Sequence, residues 1–154
     1  MADNERLTEA AIRTTTAILT PLGFEFNLTV APYEDGVAVM IDSPDAGHLI
    51  GEEGDRLDDL QYLVNRLVQE EWAEAPRVRV DCDSYRERAE AKLIRRARSR
   101  AERVQKTGKP LQMEKLNAYQ RRLVHNELSK MEGIITTSEE TDSRFKRITI
   151  SRSE

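Results

Sequence analysis

The chain has 154 residues, 38% hydrophobic and 34% charged, too apolar for a disordered chain and too charged for a membrane protein. Its formal net charge of −4 conceals a division: residues 1–84 carry 6 Lys and Arg against 18 Asp and Glu, whereas residues 85–154 carry 18 against 10. The basic half suits a polyanion, and the acidic half cannot attract phosphate by charge alone.

From the N-terminus, Asn4 is placed to cap a helix with Leu7, Ala11, Thr14 and Ile18 in one stripe, ended by Pro21 and Gly23. Phe24, Phe26, Leu28 and Val30 alternate with Glu25, Asn27 and Thr29, the pattern of a half-buried strand. The turn Tyr33-Glu34-Asp35-Gly36 leads into a second strand over residues 37–41. Residues 44–50 read as a short helix stopped at Gly51. After Gly54 a longer helix places Leu57, Leu60, Gln61, Val64, Leu67 and Val68 on one side. Pro76 closes that helix, and residues 77–81 give a third strand. The predicted order of the first domain, residues 1–84, is α-β-β-α-α-β.

The second domain, residues 85–154, opens with a helix over residues 85–106, roughly 33 Å long at 1.5 Å per residue. Ala89, Leu93, Ala97, Ala101 and Val104 form its thin apolar stripe, flanked by Arg88, Lys92, Arg95, Arg96, Arg100 and Arg103. Gly108 and Pro110 break it, and a short strand covers residues 111–113. Asn117 caps a further helix, with Gly133 placed as its C′ glycine. Residues 134–138 and 145–151 form a hairpin across an acidic loop, giving α-β-α-β-β. The fold class is α+β: two small domains, each a three-stranded sheet with helices.

The single cysteine, Cys82, excludes an intramolecular disulfide and a multi-cysteine zinc site, and reads as a strand residue without a redox task. The start, Met1-Ala2-Asp3-Asn4-Glu5, has no signal-peptide pattern, and no apolar run reaches the roughly 18 residues of a membrane span. A cytoplasmic protein without membrane insertion is expected. No P-loop, H-E-x-x-H or Ser/His/Asp arrangement is present, so no catalytic residue, metal or cofactor is expected.

Two motifs carry function. In His48-Leu49-Ile50-Gly51-Glu52-Glu53-Gly54, two glycines mark a corner between helices, where glycine leaves room for a nucleotide backbone and a helix N-terminus offers N–H groups. Glu52, Glu53, Asp55, Asp58 and Asp59 suit the helix dipole but have the wrong sign for phosphate. In Tyr119-Gln120-Arg121-Arg122-Leu123-Val124-His125, Arg121 and His125 are one helical turn apart, beside the apolar stripe of Val124, Leu128 and Met131. An arginine fork beside an imidazole suits phosphate. The other role open to this pair is to anchor the helix to the sheet.

With Ile50, Gly51, Gly54 and Leu57 in that order of elements, the first domain resembles the minimal bacterial KH domain, and the stretch through Leu60-Gln61-Tyr62-Leu63 to Asn65 resembles the Jag-type form. The Arg121–His125 spacing, with Asn117, Tyr119, Glu132-Gly133 and the closing Phe145-Lys146-Arg147-Ile148-Thr149-Ile150, resembles the domain named for Arg-three-His. Together the two domains resemble the Jag family of bacterial RNA-binding proteins over residues 5–151, without the further N-terminal domain that members often carry. The resemblance implies a sequence-tolerant binder of single-stranded RNA, with single-stranded DNA as a second candidate, acting as a post-transcriptional regulator or RNA chaperone-like factor. Arg121, His125, Arg122, Tyr119, Lys109, Arg144, Lys146 and Arg147 are its candidate contacts, and the protein partner would be a second copy or another KH protein. The alternative is a protein-interaction adaptor whose acidic half docks a partner, with nucleic-acid binding incidental or autoinhibited.

Overall fold

The alternation over residues 24–30 places Phe24, Phe26, Leu28 and Val30 half-buried, but in the computed structural model, which describes residues 2–154, the strand ladder begins only at Asn27. The chain divides into two units, Met1–Arg86 and Glu87–Glu154. The first follows the expected order: α1 (Ala2–Leu19), β1 (Asn27–Tyr33), β2 (Gly36–Asp42), α2 (Ala46–Ile50), a 3₁₀ turn (Glu52–Gly54), α3 (Asp55–Glu71) and β3 (Val78–Cys82). Its sheet has the order β1-β2-β3, with β1 antiparallel and β3 parallel to β2. Leu7, Ala11 and Leu19 of α1, Leu57 and Val64 of α3, and Val37, Val39, Ile41, Val78 and Val80 of the sheet fill the core.

Three local expectations fail. Asn4 is not a cap but an exposed residue inside α1, whose first turn is favoured by Asp3 and Glu5 at the positive end of the helix dipole. Leu67 faces solvent instead of the core, because Leu57, Leu60, Val64 and Val68 already complete the buried stripe. Pro76 does not close α3, which stops at Glu71 with Trp72 as its C-cap.

The outer edge of β3 is closed by side chains rather than by a strand. Asn65 accepts from the Val78 N–H at 2.9 Å and donates to the Val78 carbonyl at 2.7 Å. Gln61 accepts from the Val80 N–H at 2.9 Å, and Arg86 Nε donates to the Val80 carbonyl at 2.8 Å. The backbone donors and acceptors of both residues are thus satisfied as a neighbouring strand would satisfy them.

The second unit contains most of α4 (Tyr85–Thr107), whose first two residues fall in the first unit, then β4 (Leu111–Gln112), α5 (Ala118–Leu128), β5 (Ile134–Ser138) and β6 (Ile148–Arg152). The sheet order is β4-β6-β5, antiparallel throughout. Leu93, Ala97, Ala101 and Val104 of α4 pack with Val124 and Leu128 of α5 and with Met113, Ile148 and Ile150. Gly133 is not the C′ residue of α5: the helix ends at Leu128, and Gly133 directly precedes β5. Phe145 lies before the last strand, which is paired from Ile148. None of the described helices is long and apolar enough to cross a membrane.

Candidate nucleic-acid interface

The N-terminus of α5 is fixed by a reciprocal cap. Asn117 Oδ1 accepts from the Gln120 N–H and Gln120 Oε1 accepts from the Asn117 N–H, each at 2.9 Å. From this start Arg121 Nη1 donates back to the Leu116 carbonyl, just before the cap, at 2.6 Å, and to the Arg144 carbonyl, in the segment before β6, at 3.3 Å. Nε and Nη2 of Arg121 have no partner among the described residues.

His125 follows one turn later and meets β5. Its Nδ1 is paired with the Thr136 hydroxyl, and its Nε2 lies 3.1 Å from the Ser138 hydroxyl. Thr136 and Ser138 are two positions apart, on the strand face that looks toward α5. Burial lowers the imidazole pKa, and the nearby charge of Arg121 lowers it further. His125 is therefore neutral near pH 7, and the ring fastens α5 to β5.

Around this joint lie most of the other cations expected from sequence. Arg144 stacks 5.7 Å from the Phe145 ring centroid, and Arg122 lies 5.3 Å from that of Tyr119. Lys146 exchanges two backbone bonds with Leu116, at 2.9 and 3.0 Å. Arg121, Arg122, Arg144 and Lys146 therefore gather at one end of the second sheet, and none of them is ion-paired among the described residues. Phe145 is 47% exposed, so its ring reaches the surface beside Arg144.

Two members stand apart. Arg147 follows Lys146 in extended chain, so its side chain turns to the opposite face, while its N–H donates to Glu139 at 3.1 Å. Lys109 lies at the other end of the sheet, beside Gly108, whose Cα faces the Arg152 guanidinium. Arg152 is an exposed cation that the sequence reading missed, although the hairpin register already places it at that end.

The basic helix contributes less than its composition suggests. Arg96 and Arg100 pair with Glu114 at 2.5 and 2.9 Å, and Arg98 pairs with Glu127 at 2.8 Å. Burial alone would raise the Glu114 pKa, but its backbone hydrogen bond and the two arginines hold it below the usual carboxylate value.

The glycine corner of the first unit is present but filled. Gly51 and Gly54 adopt φ of 72° and 80°, and Glu53 between them is also left-handed at 52°. A Cβ on Gly54 would lie 2.6 Å from Tyr85 Cε1, and one on Gly51 would collide with the Asp55 carboxylate and lie 2.8 Å from Arg56 Cγ. The missing side chains thus make room for the protein's own Tyr85, Asp55 and Arg56. Gly54 and Leu57 are buried and Ile50 is half-buried against the core, while Glu52 and Glu53 between the glycines are exposed. The Arg56 guanidinium donates to the His48 carbonyl at 3.1 Å.

Cys82 is fully buried, and burial together with Asp83, Asp81 and Asp42 pushes its thiol up to about 11, so it has little thiolate character. Among the described residues, no three His, Cys, Asp or Glu are arranged to hold a metal ion.

Residues 91–152 match the Arg-three-His domain. The chain is 33% identical over 84% of its length to an RNA-binding protein KhpB of Clostridium symbiosum, covering 56% of that protein. It is 32% identical over 92% of its length to an RNA-binding protein KhpB of Lactiplantibacillus plantarum, of which it covers 44%. A third, from Bacillus subtilis, is 29% identical over 67% of this chain and 50% of its own. The chain spans about half the length of the curated relatives it matches.

Proposed function

We propose that this chain, a homologue of the KhpB proteins carrying an Arg-three-His domain in residues 91–152, is a cytoplasmic, non-enzymatic binder of single-stranded RNA that acts in post-transcriptional regulation. The observation that carries the proposal is the unpaired group of Arg121, Arg122, Arg144 and Lys146, interleaved with the rings of Tyr119 and Phe145. Cations without carboxylate partners release counterions when phosphate binds, and rings that reach the surface stack on bases of any sequence. Arg121 offers its free Nη2 and Nε to phosphate, and His125 holds β5 beneath it. Lys109 and Arg152, at the other end of the sheet, serve a longer strand, while Arg147 faces away from this path.

The test is fluorescence anisotropy with a short single-stranded RNA and the whole chain. Arg144→Glu with Lys146→Glu should weaken binding by about a hundredfold near physiological salt, and should flatten the dependence of log K on log salt by about 1.4, at roughly 0.7 per phosphate lost. Equal losses on unrelated sequences are expected, since phosphate contacts do not read bases. The adaptor reading, drawn from the acidic corner, expects weak RNA binding that ignores this double substitution. The same titration with single-stranded DNA decides between the two nucleic acids.

A further inference from the structure

Arg96, Arg98 and Arg100 of α4 are neutralised by Glu114 and Glu127, but four other cations of that helix are not. Lys92, Arg95, Arg103 and Lys106 are all exposed, and none of their side chains has a partner among the described residues. At about 100° per residue they fall within an arc of about 80°, on the side of α4 turned away from Leu93, Ala97, Ala101 and Val104.

The four cations form two rows. Lys92 and Arg103 make one and Arg95 and Lys106 the other, the members of each row standing about 16 Å apart along the axis. Between the rows, at the crest, sits the small exposed Ser99. One carboxylate, Glu102, lies on the outer side of the Arg95 row. No Gly or Pro interrupts α4, so the rows run along an unbroken helix.

Residues 92–106 contain no aromatic ring, whereas rings accompany the cations around α5. A single strand is held by stacking its unpaired bases on rings. A double helix keeps its bases stacked internally and presents phosphates, which cations alone can meet. A convex ridge with a small residue at its crest and cations on both flanks fits the wide, shallow minor groove of A-form RNA. There the crest meets 2′-hydroxyls and the flanks meet the phosphates of the two strands.

We infer that the outer face of α4 binds an RNA double helix across its minor groove, with Lys92 and Arg103 on one strand and Arg95 and Lys106 on the other. These residues are not among the single-strand contacts proposed around α5, and the inference does not rest on those contacts.

Fluorescence anisotropy of the whole chain with a blunt-ended RNA duplex of about 16 base pairs, free of single-stranded tails, tests it. The duplex should bind. Lys92→Glu with Arg103→Glu should weaken that binding by about tenfold or more near physiological salt, and Arg95→Glu with Lys106→Glu by a similar factor. All four positions are exposed, so the circular dichroism of both variants should match the unsubstituted protein. On a short single-stranded RNA each variant should lose less than about threefold, because charges more than about 8 Å away are screened at that salt. The duplex carries no unpaired base, so a failure of the single-strand reading leaves the duplex result intact, and the reverse also holds. Absence of duplex binding, a loss confined to one row, or equal losses on duplex and single strand would overturn the inference. So would a blunt DNA duplex of the same length that binds as tightly as the RNA.

Discussion

The two units are built from the same parts, a three-stranded sheet with helices packed on it, yet their corners are finished in opposite ways. At the Gly51–Gly54 corner the space beside the backbone is taken by Tyr85, Asp55 and Arg56, and the exposed rim is acidic. At the N-terminus of α5, Arg121 is spent partly on two backbone carbonyls, and the surrounding cations project without ion-pair partners. Room and charge are separate requirements for holding a nucleotide chain; at the first corner the positions a glycine Cβ would take are filled by the protein's own side chains and the loop residues Glu52 and Glu53 are acidic.

The largest expected effect that bears on this contrast is structural. Gly54→Ala adds a Cβ at left-handed φ and against Tyr85, and should destabilise the first unit by about 3 kcal/mol in urea unfolding. Combined with Tyr85→Ala, its cost should fall by about 1 kcal/mol or more relative to the sum of the single substitutions, because the collision is removed and only backbone strain remains. Additive losses would show that Tyr85 does not fill the corner.

A smaller effect is expected from charge alone. Glu52→Lys with Glu53→Lys, introduced into the chain already carrying Arg144→Glu and Lys146→Glu, should raise affinity for short single-stranded RNA by less than about threefold at moderate salt. The basic side chains would attract phosphate, but Tyr85 still covers Gly54. A tenfold gain by the same anisotropy measurement would mean that sign was the only obstacle.

The smallest effect concerns His125. Its pKa in the folded chain lies below the ordinary 6.5, so the unfolded chain binds more protons between those two values and stability rises with pH there. The contribution is full above 6.5 and is lost as the pH falls from 6.5 toward the folded value. His125→Gln should flatten the dependence of Tm on pH in that window while leaving the rest of the profile in place. An unchanged slope would mean that the imidazole between Thr136 and Ser138 is not held neutral.

Much of the architecture was legible because it is written in periodicity. The alternation around Leu28 and Val30 and the stripe Leu57, Leu60, Val64 and Val68 each have one reading, and the order of elements follows from them. Ends were less legible: Asn4 and Gly133 carry capping chemistry but sit where capping is not needed, since side-chain preference acts only once the chain has placed a helix end there. The site was half legible. Arg121 and His125 share a helix face, as spacing requires, but their hydrogen-bond partners Arg144, Thr136 and Ser138 come from other elements. The two hydroxyls at alternate positions of β5 were the available signal. The purpose of Gly54 was not legible at all, because it is set by a tyrosine from the start of the next helix. Gln61 and Asn65, which mark the resemblance to the Jag-type form, belong structurally to the strand they cover.

That covering has a consequence for how the protein survives at high concentration. A sheet edge with free N–H and C=O groups is a template on which another chain can zip up and propagate into fibrils. On β3 the template is occupied by the amide side chains of Asn65 and Gln61 and the guanidinium of Arg86, which mimic a strand but cannot be extended by one. On the opposite edge, β1 carries Pro32, which has no N–H to offer. The β3 edge is thus closed to a fourth strand by side chains, and Pro32 withholds one donor from the β1 edge, so both edges are poorer templates for backbone pairing between copies.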